Sequence, residues 1–122
     1  MIVFKDFSFR YEEREQPTLR SIDLEIADGE CVLLTGRSGC GKTTLIRSMN
    51  GLIPHFYEGN VMGGVTVAGQ DVLAQPITKT AQSVGSVFQN PRSQFFNVDS
   101  TSEIVFGCEN MGWSFEMIDA RL

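Results

Sequence analysis

No apolar run in these 122 residues approaches the roughly 18 needed to cross a membrane. The amino terminus does not read as a secretory leader, because Lys5 and Asp6 interrupt its apolar residues. Cysteine is scarce. Cys31, Cys40 and Cys108 are an odd set without metal-ligand spacing, which predicts reduced thiols in a cytosolic protein. Positive charge is also short: 10 Lys and Arg against 15 Asp and Glu leave a net charge of -5. That balance argues against a general nucleic-acid or membrane-surface binder. There is no internal repeat and no low-complexity linker. The length suits one core and is too short for two ordinary domains.

What the chain does contain is a full match to G-x-x-x-x-G-K-S/T, the phosphate-binding loop, at Gly36-Arg37-Ser38-Gly39-Cys40-Gly41-Lys42-Thr43. Cys31 to Thr35 leads in as an expected buried strand. Thr43 to Asn50 leads out as an expected helix, stopped by Gly51. Gly36, Gly39 and Gly41 allow a backbone that turns successive N–H groups inward to cradle phosphate oxygens. The following helix presents its positive end to the same anion. Lys42 is expected to reach the β- and γ-phosphates and the Thr43 hydroxyl to ligate Mg²⁺. Ser38 and Cys40 are expected to add backbone N–H groups, and Thr44 a hydroxyl near the α-phosphate. The competing reading is a glycine-rich turn that happens to hold Lys-Thr; the strand before and the helix after weigh against it. Cys40, beside Lys42 at a helix start, is expected to alkylate readily unless ATP protects it; a small residue filling a turn is the other reading.

Met1 to Tyr11 alternates as a strand with one more apolar face. Glu12 to Pro17 is a charged loop. Leu19 to Ile26 alternates cleanly as a half-buried antiparallel strand, and Asp28-Gly29 is a turn. Leu52 to Gly59 is expected as loop, because of Pro54 and Gly59. Gly63 to Gln70 is a short strand closed by a turn, and Val72 to Ala81 has no assignment. Ser83 to Gln89 is a second buried parallel strand candidate, followed by a loop carrying Phe95 and Phe96. Ser100 is expected to cap a helix, with Glu103 three residues on and Gly112 ending it. Ser114 is expected to cap the next. Glu103 and Glu109 are read as helix-surface charges.

These residues together resemble the amino-terminal part of an ATP-binding cassette (ABC) transporter ATPase. The antiparallel pair ends at Tyr11, where that family places an aromatic platform for adenine. Gly36 to Thr44 resembles its Walker A motif. Gly64 to Gly69 followed by Asp71 resembles its next strand, and Val87-Phe88-Gln89-Asn90-Pro91 its Q-loop. Asn50-Gly51-Leu52-Ile53-Pro54 followed by Gly59, Gln89 to Phe96, and Thr101 to Asn110 with Glu103-Ile104, Phe106-Gly107 and Glu109-Asn110 look like the energy-coupling-factor branch, which powers uptake of vitamins and metal ions.

The resemblance implies an α/β P-loop NTPase fold: amino-terminal antiparallel strands packed on a partial parallel sheet with helices. It implies that residues 1–122 are the amino-terminal part of one ABC ATPase domain. The implied cofactors are ATP and Mg²⁺. Lys42 and Gln89 are the implied catalytic residues, with Gln89 joining Thr43 at the metal. Tyr11, Gly36, Ser38, Gly39, Cys40, Gly41, Lys42, Thr43 and Thr44 are the implied nucleotide contacts. A surface tyrosine and a polar loop residue are the bland readings of Tyr11 and Gln89. The implied partners are a second ATPase subunit and a transmembrane subunit met through the Q-loop region, with no nucleic acid. That places the protein in the cytoplasm against the inner face of the cell membrane.

The resemblance also implies a protein of roughly twice this length by the size of one such domain. The L-S-G-G-Q signature, the Walker B strand and the switch histidine have no match here, and His55 lies too early for the last. The expected function is the ATP-binding subunit of an importer. The alternative is a nucleotide-binding fragment without hydrolysis or transport, and turnover by this chain alone is not expected.

Overall fold

A computed structural model describes all residues from Met1 to Leu122. The chain divides into two units, Met1–Gly85 and Ser86–Leu122. The first is built on a four-stranded antiparallel sheet. Its strands are β1 (Ile2–Tyr11), β2 (Leu19–Ile26), β3 (Gly59–Val67) and β4 (Gln70–Asp71), in the order β2-β1-β3-β4. Helices α1 (Lys42–Met49), α2 (Leu52–His55) and α3 (Ile77–Thr80) complete this unit.

The central strand β1 does not alternate throughout. Phe4, Phe7 and Phe9 are all buried, although strict alternation puts Phe4 and Phe7 on opposite faces. A bulge resolves this. Between Phe4 and Phe7 the strand advances by one residue more than β2, and between Lys5 and Ser8 by one more than β3. The extra residue is Asp6, with φ of 44°. Its N–H donates to Asp23 Oδ1 at 2.8 Å. The bulge brings Phe4 and Phe7 together edge to face, with ring centroids 5.4 Å apart. Each buried phenyl contributes about 1.5–3 kcal/mol relative to exposure. The core joins them to Leu19, Leu45, Ile53, Val65, Val67 and Val72.

Helix α1 forms and stops as expected. It buries Thr44, Leu45 and Ser48, and the chain leaves through Gly51 at φ 78°. Leu52–His55 closes a helical turn but is kinked inside it: Ile53 is extended, at φ -106° and ψ 127°, as the residue before Pro54 favours, so the expected break is present. Strand β3 begins at Gly59, not near Gly63, because the chain there lies directly against Arg10 and the Phe9 ring. Gly59 acts as a close-approach residue and not as a breaker.

The larger correction concerns the parallel strands. Neither Cys31–Thr35 nor Val84–Phe88 forms a strand. Leu33 is 86% exposed and Val87 86%. A parallel strand is held by ladders on its edges and by cover on its faces. These runs pair with none of the four strands, so their hydrophobicity alone does not make them strands. The α/β character rests on the antiparallel sheet and its helices.

The second unit has a 3₁₀ turn at Pro91–Gln94, then α4 (Ser100–Asn110) and α5 (Phe115–Asp119). The cap of α4 is Asp99 and not Ser100: the Asp99 carboxylate accepts the Ser102 N–H at 2.9 Å and its hydroxyl at 2.8 Å. Asp caps as well as Ser. With Asp99 as cap, Glu103 falls one position beyond the capping-box site. Glu103 turns back instead and accepts the N–H groups of Phe96 (3.0 Å) and Asn97 (2.8 Å). It is a half-buried loop staple, not a plain surface charge. Ser114 caps α5 through the Met117 N–H, and Gly112, at φ 72°, follows α4. No helix is long and apolar enough to cross a membrane.

Candidate functional site

The loop from Gly36 to Gly41 joins the segment after β2 to α1. Gly36, Gly39 and Gly41 all have positive φ, at 152°, 80° and 99°. Gly41 shows why a side chain is excluded. It is the N-cap of α1 in a left-handed conformation. A Cβ there would sit 3.0 Å from Leu19 Cδ2 and 3.1 Å from the Thr18 carbonyl oxygen. The loop is therefore pressed onto the start of β2.

Lys42 folds back over this loop. Its ammonium donates to the carbonyl oxygens of Gly36 and Arg37, both at 2.8 Å, with Cys40 Sγ at 3.7 Å. A lysine ammonium has three donors in all. The contacts anchor the charge at the mouth of the loop. Helix α1 has no side-chain cap and no acidic residue in its first turn. Its first-turn N–H groups and the positive end of its dipole thus face the loop without a carboxylate of their own. This arrangement fits a phosphate chain: a fixed cation, glycine backbone and a helix start converge on one place. No three His, Cys, Asp or Glu side chains gather to hold a metal, so a divalent ion here would rest on the exposed Thr43 hydroxyl and on phosphate oxygens.

At the other end of the site Tyr11 closes β1. Its hydroxyl is 3.1 Å from Oγ1 of Thr44, which is buried in the first turn of α1. Its ring meets Phe9 edge-on at 4.7 Å, and the Arg14 guanidinium lies 6.0 Å from the ring centre. The structure thus brings Tyr11, Thr44, Lys42 and the loop glycines into one unit. Ser38, Cys40 and Thr43 are exposed on that unit's surface. Gln89 belongs to the second unit, where it is exposed in a segment without regular structure.

Sequence reasoning missed two residues beside Tyr11. Arg47 lies over the Tyr57 ring at 3.9 Å and reaches the Tyr11 hydroxyl at 3.4 Å. The three-residue spacing of Thr44 and Arg47 on α1 was the available signal. In the second unit, a 440 Å³ depression is lined by residues that include Phe95, Val98, Glu103 and Ile104.

The site is that of a phosphate-binding-loop protein. Residues 19–119 match the family described as "ABC transporter". An ABC transporter ATP-binding protein of Treponema denticola is 51% identical over all 122 residues, which span 25% of its length. One of Lactiplantibacillus plantarum is 46% identical over 110 residues, covering 90% of this chain and 19% of that protein. A relative in Methanosarcina acetivorans is 41% identical over 122 residues, 19% of its length. The chain belongs to the ABC transporter family. It spans a quarter or less of the length of these relatives, where about half was expected.

Proposed function

We propose that this chain is the amino-terminal part of an ABC ATPase domain and binds MgATP. The observation that carries this is Lys42, fixed by two loop carbonyls at the uncapped start of α1. Gly36, Ser38, Gly39, Cys40 and Gly41 hold the phosphates through backbone N–H groups. Lys42 neutralises their charge. Thr43 would ligate Mg²⁺, with Gln89 a second ligand on the family resemblance alone, Thr44 would lie toward the α-phosphate, and Tyr11 would carry the adenine. When bound, Mg²⁺ offsets charge on the β- and γ-phosphates. The role of this chain is to orient and neutralise.

The wider role we propose is the ATP-binding subunit of an importer of the energy-coupling-factor type, for vitamin or metal-ion uptake. The support is the Asn50 to Pro54, Gln89 to Phe96 and Phe106 to Asn110 stretches. In that role it pairs with a second ATPase subunit and meets a transmembrane subunit through the Q-loop region, at the cytoplasmic face of the membrane. A second reading for the isolated chain is nucleotide binding without turnover, with which the exposed Val32, Leu33, Val87 and Phe88 are compatible.

Calorimetric titration of the purified protein with MgATP tests the first claim. Lys42→Ala is expected to weaken binding at least about a hundredfold, since charge-assisted hydrogen bonds are worth about 1.5–3 kcal/mol each. Equal binding by wild type and Lys42→Ala would overturn it. Steady-state phosphate release by the isolated chain would overturn the second reading.

A further inference from the structure

Tyr11 is held by more than its own strand. Its hydroxyl faces Thr44 at 3.1 Å and the Arg47 guanidinium at 3.4 Å. The Arg47 guanidinium in turn lies over the Tyr57 ring, 3.9 Å from its centre. The Tyr57 ring stands edge-on to Tyr11 at 6.4 Å and edge-on to Phe56 at 5.2 Å. Thr44 and Arg47 are one turn apart on α1, the helix that begins at Lys42. The contacts therefore run from the segment after α2, through α1, to the end of β1, all inside the first unit.

We infer that Arg47 and Tyr57 are positioning residues for the base end of the nucleotide site. They fix the Tyr11 ring relative to α1, so the platform and the phosphate cradle move as one body. This rests on the nucleotide reading proposed above. The physical reason is preorganisation. A tyrosine at a strand end has two free side-chain torsions, and stacking on a base freezes both. Here the hydroxyl is tied at two points and one ring edge is packed, so that ordering is complete before the ligand arrives. A cation over an aromatic ring is a directional contact and resists rotation of both partners.

The test uses two probes on the purified protein, MgATP and inorganic tripolyphosphate. Tripolyphosphate reads the cradle alone. Tyr57→Leu and Arg47→Gln are expected to weaken ATP about three- to tenfold, the worth of one such contact. Tripolyphosphate binding is expected to stay within about twofold. Tyr57→Phe keeps the ring face and is expected to bind ATP like wild type. If Tyr57→Leu does not fold, Arg47→Gln and Tyr57→Phe carry the comparison.

Equal weakening of both probes would assign Arg47 and Tyr57 a purely structural role and overturn the inference, as would unchanged ATP binding. Failure of the nucleotide reading itself shows differently. Wild type would then bind neither probe, or Tyr11→Ala would leave ATP binding unchanged.

Discussion

The Tyr11 hydroxyl lies 3.1 Å from Thr44 Oγ1, and this contact ties the last residue of β1 to the first turn of α1. Thr44 is 5% exposed, so its hydroxyl has little access to water. Tyr11→Phe is expected to cost about 1 kcal/mol of stability in urea unfolding. Thr44→Val keeps the shape and removes the same bond. The double variant is expected to lose less than the sum, with a coupling of about 0.5–1 kcal/mol. Strict additivity would mean that the two hydroxyls do not interact.

The bulge at Asp6 has a counterpart across the ladder. Gly63 has φ 76°, and a Cβ there would collide with the Asp6 and Lys5 carbonyl oxygens. At Gly64 a Cβ would meet nothing within 4 Å. Gly63→Ala is expected to destabilise by about 2–4 kcal/mol, from strain in the left-handed region and from the clash. Gly64→Ala is expected to change stability by less than about 0.5 kcal/mol. Thermal melts of the two variants separate the cases.

Exposure makes a similar contrast. Phe7 is fully buried, whereas Leu33 and Val87 are each 86% exposed. Phe7→Ala is expected to cost about 3–5 kcal/mol. Leu33→Asp and Val87→Asp are each expected to stay within about 0.5 kcal/mol of wild type. They are also expected to lower binding of a hydrophobic dye, since each removes an exposed apolar group. A large loss of stability from either would show that these runs are packed in solution.

Acidification should loosen the start of α4 and the loop before it in the second unit. The Asp99 carboxyl is held below its usual range by the Ser102 N–H and then by the Ser102 hydroxyl. Glu103 is lowered by the Asn97 N–H above all, with help from Phe96 and the Asn97 side chain and against partial desolvation. Both folded values are depressed. Their contribution is therefore present above the unfolded-chain values and is lost as pH falls through the folded ones. Protection against amide exchange at Ser102, Phe96 and Asn97, relative to the unfolded chain at the same pH, should fall over that acid window. Glu103→Gln should remove the pH dependence of that protection at Phe96 and Asn97 while leaving Ser102 unchanged.

Much of this was legible in the sequence where the information is local. The spacing of Gly36, Gly39, Gly41 and Lys42 specifies a turn, a cation and a helix start within eight residues. The stop at Gly51 and the alternation of Ile22, Leu24 and Ile26 are local in the same sense and took their expected form, whereas Leu19 falls out of phase across a bulge at Ser21, where φ is 42°. Asp99 is legible too, because Asp ranks with Ser as a cap, but the capping-box spacing favours Ser100, one residue further on.

What the tertiary structure decided were the pairings between residues distant in the chain. Alternation along β1 could not reveal that Asp6 bulges, because the bulge is defined by two neighbouring strands at once. The apolar content of Cys31–Thr35 and Val84–Phe88 marks them as able to form strands, but a strand needs a ladder and these runs have none here. The grouping of Tyr11, Thr44, Arg47 and Tyr57 likewise depends on the end of β1 meeting α1. By itself the sequence determined the phosphate loop, because short-range backbone geometry suffices for it. The fold decided what stands around that loop, because burial and pairing act between residues that sequence spacing does not connect.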